Sequence, residues 1–335
     1  MTHVLVARMD SEGDVLLAGP AIRAAAAHAD RLTLLCGPRG RHAAALLPGV
    51  DEVIVHHAAW IDAEPEPVDR GATEALVTRL AACAVDAAAV LTSFHQSPLP
   101  LALLLRMAGV PEIAAVSVDY PGSLLDHRLP DPGDVHEVER ALGVVAALGM
   151  RLPPGDDARL AVRRGAARVP AGPYVIVHPG ASVPARAWSP ERNAALVAAL
   201  AGQGRRVLVT GGPGERELTR FVAGEDGVDL GGATTMGELA ELLAAADCLV
   251  VGNTGPAHLA AAVGTPVVSL FAPTVPAARW RPWRVPHELL HVDVPCAGCR
   301  ARDCPVPGHP CVEGVGLGDV LAAIGRLAPG REVAA

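Results

Sequence analysis

Residues 250–274 read VVGNTGPAHLAAAVGTPVVSLFAPT, and this stretch decides the fold. An apolar strand, Cys248 to Val251, runs into it and ends at Gly252. A polar turn, Asn253-Thr254-Gly255, then feeds a helix with Pro256 and His258 in its first turn. After Gly264-Thr265-Pro266 a second apolar strand follows, Val267 to Phe271. The most polar residues of this strand–turn–helix–strand unit fall at the carboxyl end of a strand and the amino end of a helix. Backbone N–H groups and the positive end of the helix dipole meet there, which suits an anion such as a diphosphate. Thr254 supplies a hydroxyl, Gly255 permits close approach to the backbone, and Pro256 suits the first helical turn. The alternative is an ordinary turn in a parallel sheet.

Working outward, the same alternation extends along the whole chain. Strands are expected at His3 to Arg8, Leu32 to Cys36, Glu52 to His56, Ala87 to Thr92 and Ile113 to Val118, with helices beginning near Val15, Arg39, Thr73 and Leu99. A further helix, His136 to Leu148, precedes a Pro/Gly/Asp-rich stretch, Leu152 to Asp157, and an Arg-rich run ending at Pro170, the best linker candidate. The pattern restarts at Tyr174, with strands Val175 to His178, Arg206 to Thr210, Cys248 to Val251 and Val267 to Phe271. Helices start near Pro190, Glu215, Met236 and Pro256. Apolar strands alternating with amphipathic helices predict α/β architecture: two tandem doubly wound Rossmann-like domains, residues 1–170 and 171–335, the last helix packing back on the first domain. A ligand then belongs at the carboxyl ends of the strands, in a cleft between facing domains.

Composition narrows the function classes. Half of the 335 residues are hydrophobic and 19% are charged, a globular balance with large cores, built from Ala, Leu and Val because aromatics are only 3%. All 28 Lys and Arg residues are arginine, a coding bias rather than a functional signal, and the net charge of −8 argues against nucleic acid as a partner. No apolar run is long enough to span a membrane and Met1-Thr2-His3 leads straight into a strand, so a cytoplasmic protein is expected, with peripheral membrane contact left open.

Five strand ends carry residues with chemistry. After His3 to Arg8 comes Met9-Asp10-Ser11-Glu12-Gly13-Asp14, which places Asp14 in the first turn of a helix. There it either caps the helix or serves as a carboxylate that accepts a proton from a hydroxyl; Asp10 and Glu12 read more readily as loop or capping residues. After Val175 to His178 come Gly180, Ser182, Arg186 and Trp188, where an arginine fork suits a phosphate and Trp188 packs beneath. After Arg206 to Thr210 comes Gly211-Gly212-Pro213-Gly214-Glu215, in which Glu215 holds a ribose or caps its own helix. The Asn253-Thr254-Gly255 turn is the fourth. In the first domain, Ser93-Phe94-His95-Gln96-Ser97 follows a strand end and makes His95 an acceptor-side candidate beside Asp10.

HPGAS with its following Arg and Trp, the GGPGE turn, NTGPAHLAAAVGTPVVSLFAPT and the N-terminal GDVLLAGPAI resemble the ADP-heptose:lipopolysaccharide heptosyltransferases, glycosyltransferase family 9. CAGCRARDCPVPGHPC is similar to a tail found in many members. The resemblance covers essentially the whole chain, and TGPAHLAAAVGTP is its most specific block. It implies the GT-B fold, an acceptor in the N-terminal domain and a nucleotide sugar in the C-terminal one. It also implies inverting, metal-independent transfer of a heptose or related sugar from an ADP-type donor to a glycan, lipid or small-molecule acceptor, as in lipopolysaccharide core synthesis. Carried over by motif, Asp14 is the general base, Ser182, Arg186, Thr254 and Gly255 meet the diphosphate, Glu215 holds the ribose, Met236 lies near the base, and His258 lies near the diphosphate or sugar.

Two positions depart from the pattern: Arg186 stands where many members have Lys, and Asn253 where Asp is frequent, which removes a carboxylate from the sugar side. A D-x-D sequence is missing, which fits leaving-group stabilisation without Mg²⁺. The alternatives are a sugar-nucleotide epimerase or hydrolase of the same fold, or a non-catalytic sugar-nucleotide-binding protein.

Cys36, Cys83 and Cys248 sit singly in apolar runs and read as core residues. Cys296, Cys299, Cys304 and Cys311 follow a C-x2-C-x4-C-x6-C spacing, with His309 nearby. Such spacing is ligand-like and predicts a structural zinc site, with an iron–sulfur centre, a reversible disulfide or free thiols as alternatives.

Overall fold

The computed structural model describes residues 2–62 and 65–329. Contacts divide the chain into two units, Met1–Ala161 and Val162–Ala335, so the changeover falls at the start of the Arg-rich run, ahead of Pro170.

In the first unit, strands β1 (His3–Arg8), β2 (Arg31–Cys36), β3 (Glu52–Val55), β4 (Ala87–Leu91), β5 (Glu112–Val116) and β6 (His127–Leu129) form one sheet in the order β3-β2-β1-β4-β5-β6. In the second, β7 (Val175–His178), β8 (Val207–Gly211), β9 (Val228–Gly231), β10 (Cys248–Gly252), β11 (Val267–Leu270) and β12 (His287–Leu290) follow the equivalent order, β12-β11-β10-β7-β8-β9. Every pairing is parallel. A parallel sheet is covered by helices on both faces, which is why β1 and β10 are buried at every residue and written almost wholly in apolar letters.

Each sheet grows in both directions from its first strand, so the order reverses between β1 and β4 and again between β7 and β10. At such a switch point the loops leaving the carboxyl ends diverge and open a crevice. Arg8 and Thr92 flank that point in the first unit; His178 and Gly252 do so in the second. Separate apolar cores hold the sheets: Leu5, Val90, Leu105 and Ile113 among others in the first, and Val177, Trp188, Leu196, Val250 and Val268 among others in the second.

Three strands lie outside the sequence expectation: β6, β9 and β12. All are sheet edges of three or four residues with partly exposed side chains, and an edge strand does not need the continuous apolar run of a central one. The last helix, Leu317–Leu327, contributes Val320, Ala323 and Ile324 to the core of the second unit. Among the described residues no helix is long and apolar enough to cross a membrane.

Candidate functional site

The switch point of the second unit gathers most of the residues singled out by sequence. β10 delivers Asn253 and Thr254 to the start of a nine-residue helix, Gly255–Val263, with Thr254 at the N-cap and Pro256 in the first turn. Thr254 does not use its hydroxyl as a cap. Its Oγ1, the Asn253 Oδ1 and the Thr274 Oγ1 in the loop after β11 are all buried without a hydrogen-bond partner. Buried polar atoms are almost always paired, because an unpaired one costs on the order of 1–3 kcal/mol. Three such atoms lie on the loops leaving two neighbouring strands, where a polar ligand would meet donors and acceptors. The Asn253 amide donates to the Ala272 carbonyl at 3.4 Å, which turns the Oδ1 the other way.

The loop after β7 closes on this turn. A single helical turn, Pro184–Arg186, carries Arg186, and a Cβ added to Gly252 would run into the Arg186 carbonyl oxygen. Only glycine allows the β10 end to lie against that backbone. Ser182 lies exposed in the same loop, and His258 is buried in the first turn of the helix. Trp188 is buried in the core with the Arg192 guanidinium 5.7 Å from its ring centre. The structure thus brings Arg186, Asn253, Thr254, Gly255 and His258 to one switch point.

Glu215 sits one strand over. Its Oε2 accepts from the Gly212 N–H at 2.6 Å, so the carboxylate caps its own turn. The same carboxylate lies over Gly180, where any Cβ would collide with it. His178, at the end of β7, shares a hydrogen bond with Thr210 Oγ1 at 3.0 Å and places Nε2 3.9 Å from Glu215 Oε2. Burial pulls the His178 pKa below its ordinary value against the opposing pull of Glu215, so the ring is neutral at neutral pH. Met236 is partly buried at the first position of the helix Met236–Ala245, behind a Thr235–Glu238 capping box.

In the first unit Asp14 occupies the first turn of the helix Glu12–Leu17, capped by Ser11. The Ser11 hydroxyl donates to Asp14 Oδ2 at 2.7 Å, and Arg8 Nη2 donates to Asp14 Oδ1 at 2.9 Å. The carboxylate is held at both oxygens, with its side chain 17% exposed. Asp10 is more deeply enclosed, with Oδ1 2.7 Å from Arg8 Nε and Oδ2 accepting from Ser93 Oγ at 3.1 Å. Arg8 and Glu137 belong to the same cluster, 3.1 Å apart, and sequence reasoning passed over both. The one signal available was an arginine closing an otherwise apolar strand. His95 is exposed in a turn after β4, with its ring edge-on to Phe94.

The cysteine tail lies against the turn that carries Ala185. Cys296, Cys299, Cys304 and Cys311 are free thiols that line a small cavity of about 30 Å³ together with His309. Among the described residues no three His, Cys, Asp or Glu side chains stand together as a ligand set. His309 is turned instead to the Ala185 carbonyl, 3.1 Å away. The loop is tied by backbone hydrogen bonds to the neighbouring turns: Ala185 N–H to Arg302 O, Gly298 N–H to Pro273 O and Arg300 N–H to Thr274 O. Spacing alone cannot distinguish a ligand set from a loop that braces its neighbours. Cys36 and Cys248 are buried in the sheets, and burial pushes their thiols up, Cys36 to about 11 and Cys248 to about 12. Both are inert core residues.

Comparison with known proteins follows this geometry. A lipopolysaccharide heptosyltransferase 3 of Escherichia coli is 32% identical over 173 residues, 47% of this chain and 50% of that protein, so the chain spans about half the length of that relative. Among solved structures, a family 9 glycosyl transferase of Veillonella parvula superposes with a TM-score of 0.79 at 17% identity, covering 98% of this chain and 97% of that one. The E. coli heptosyltransferase WaaC with ADP-2-deoxy-2-fluoro heptose gives 0.71 at 19% identity over 97% and 99%. The iron-containing dodecameric glycosyltransferase TibC of E. coli gives 0.58 at 17% over 97% and 76%. These likenesses show the fold, that of GT-B glycosyltransferases. The model of glycosyltransferase family 9 (heptosyltransferase) matches residues 74–309, well over half of the sequence, and the chain belongs to that family.

Proposed function

We propose that this chain transfers a heptose or closely related sugar from an ADP-linked donor to an acceptor hydroxyl, with inversion at the anomeric carbon and without a catalytic metal. The observation that carries the reading is the group of buried polar atoms without partners, Asn253 Oδ1, Thr254 Oγ1 and Thr274 Oγ1, at the start of the helix Gly255–Val263. A helix N-terminus with a free hydroxyl and an adjacent arginine is the chemistry a diphosphate requires. The named relative is a heptosyltransferase, and the WaaC structure was solved with an ADP-heptose analogue. Both support the choice of sugar and nucleotide.

In this reading Ser182, Arg186, Thr254 and the Gly255 backbone hold the diphosphate, Glu215 the ribose, and Met236 lies by the adenine. Asn253 and His258 face the sugar; an amide gives and accepts hydrogen bonds with hydroxyls where a carboxylate only accepts. Asp14 takes the proton of the acceptor hydroxyl. The oxygen attacks the anomeric carbon on the face opposite the diphosphate, and the departing C–O electron pair leaves with ADP. The negative charge that builds on ADP is met by Arg186 and the helix N-terminus, charges already in place before reaction. No step calls for a metal as Lewis acid. Other hydroxyl groups beside glycans, on lipids or small metabolites, meet the same chemical requirement for an acceptor.

The test is Asp14→Ala. Transfer should fall about 10²- to 10⁴-fold, the usual range for loss of a positioned base, while calorimetric binding of ADP is unchanged. Transfer that survives the substitution removes Asp14 from the mechanism.

A further inference from the structure

The end of β1 holds more charge than a single base requires. Arg8 is buried and meets three carboxylates: Nε lies 2.7 Å from Asp10 Oδ1, Nη2 2.9 Å from Asp14 Oδ1, and Nη1 3.1 Å from Glu137 Oε2. Nη2 also donates to Ser93 Oγ at 2.8 Å. All edges of the guanidinium are therefore engaged. The partners come from four places in the first unit: the turn after β1, the helix Glu12–Leu17, the loop after β4, and the first residue of the helix Glu137–Ala147. Glu137 is 1% exposed, with its Oε2 engaged by Arg8, so it is out of reach of a substrate.

A base directly paired with one arginine is well oriented but poorly basic, because the positive charge stabilises the carboxylate it has to protonate. Here two further carboxylates draw on the same guanidinium. Burial pushes both the Asp10 and the Glu137 carboxyls up; Arg8 opposes this and the charge of Asp14 adds to it, so the three acids are electrostatically coupled.

Resting on the reading of Asp14 as base, we propose that Arg8 is the positioning residue of Asp14, and that Glu137 and Asp10 share its charge so that orientation is obtained without loss of basicity. Arg8 and Ser11 fix the two oxygens of Asp14. Ser93 braces Arg8 and Asp10 together, and Gln96 approaches the Asp10 carboxylate. Among the other charged or titratable groups of the surrounding elements, Glu12 meets His42, Glu139 accepts from the His136 N–H, Arg140 acts on Glu137 but is paired with Asp131 at 2.7 Å, and His136 accepts at Nδ1 from the Val138 N–H.

The test needs no acceptor. In the full-length protein with ¹³C-labelled carboxyl groups, the Asp14 resonance is identified by its loss in Asp14→Asn, and its titration is followed by NMR. Glu137→Gln leaves Arg8 paired with Asp10 and Asp14 but puts more of its charge on Asp14. The Asp14 midpoint should move down by about one pH unit, the scale of a nearby charge change. Arg8→Gln should move it up, with thermal unfolding confirming that the fold persists. If Arg8→Gln does not fold, Glu137→Gln decides alone. An Asp14 midpoint unchanged in Glu137→Gln overturns the proposal, even where Asp14→Ala abolishes transfer; transfer that survives Asp14→Ala overturns the base assignment instead.

Discussion

Gly252 shows how much of the site is set by single atoms. Its missing Cβ is what lets the β10 end rest against the Arg186 carbonyl, so Gly252→Ala has to push the arginine turn away from the helix N-terminus. Overpacking of this kind costs about 1–3 kcal/mol. We expect a lower urea midpoint together with weaker ADP binding by calorimetry; normal ADP affinity would mean that the contact between the two turns does not shape the donor site. Residues of this class were legible in sequence because Gly, Asn, Thr and Pro are punctuation at strand ends: Thr254, Gly255 and Asp14 all stand on the elements the pattern assigned to them. Arg8 was not legible as a functional residue. Its meaning depends on Glu137, 129 positions away, and no local pattern encodes that meeting. Glu215 was left between two roles, and the structure shows its Oε2 engaged in capping.

At the scale of elements, the central strands and the edge strand β3 were legible in the sequence, and the other three edges, β6, β9 and β12, were not. β1, β4, β7 and β10 are buried on both faces and apolar but for His3, Arg8 and His178 at strand ends, whereas HRL, VDLG and HELL at β6, β9 and β12 are half-exposed and look like loop. The cysteine loop combines a ligand-like spacing with a backbone that braces the turns carrying Ala185 and Thr274. β7 adds a pH dependence. Its terminal His178 is held neutral by burial, below the ordinary 6.5. The unfolded chain therefore takes up this proton first as pH falls, and the stability contributed by the neutral ring is lost on acidification. Urea midpoints should drop between about pH 7.5 and 5.5, and the drop should be smaller in His178→Gln. An identical drop in the variant would place the titrating group elsewhere.

The whole molecule repeats one plan twice. Two six-stranded sheets of the same order, each with its own core, place their reactive residues at equivalent switch points: Arg8 and Asp14 after β1, Arg186 and Thr254 after β7 and β10. That repetition was visible in the sequence because strand and helix alternate in the same way before and after the linker, and the changeover at Val162 falls inside the Pro/Gly/Asp- and Arg-rich stretch from Leu152 to Pro170. Membership in glycosyltransferase family 9 and the polar atoms around Asn253 are what the proposed transfer rests on. The most direct measurement combines protein, ADP-linked heptose and a panel of hydroxyl acceptors, and reads the product by mass spectrometry and its anomeric linkage by NMR. The account predicts an acceptor heavier by one heptosyl residue, with the anomeric configuration opposite to that of the donor. A product with retained configuration, or ADP and free heptose with no adduct on any acceptor, would contradict it.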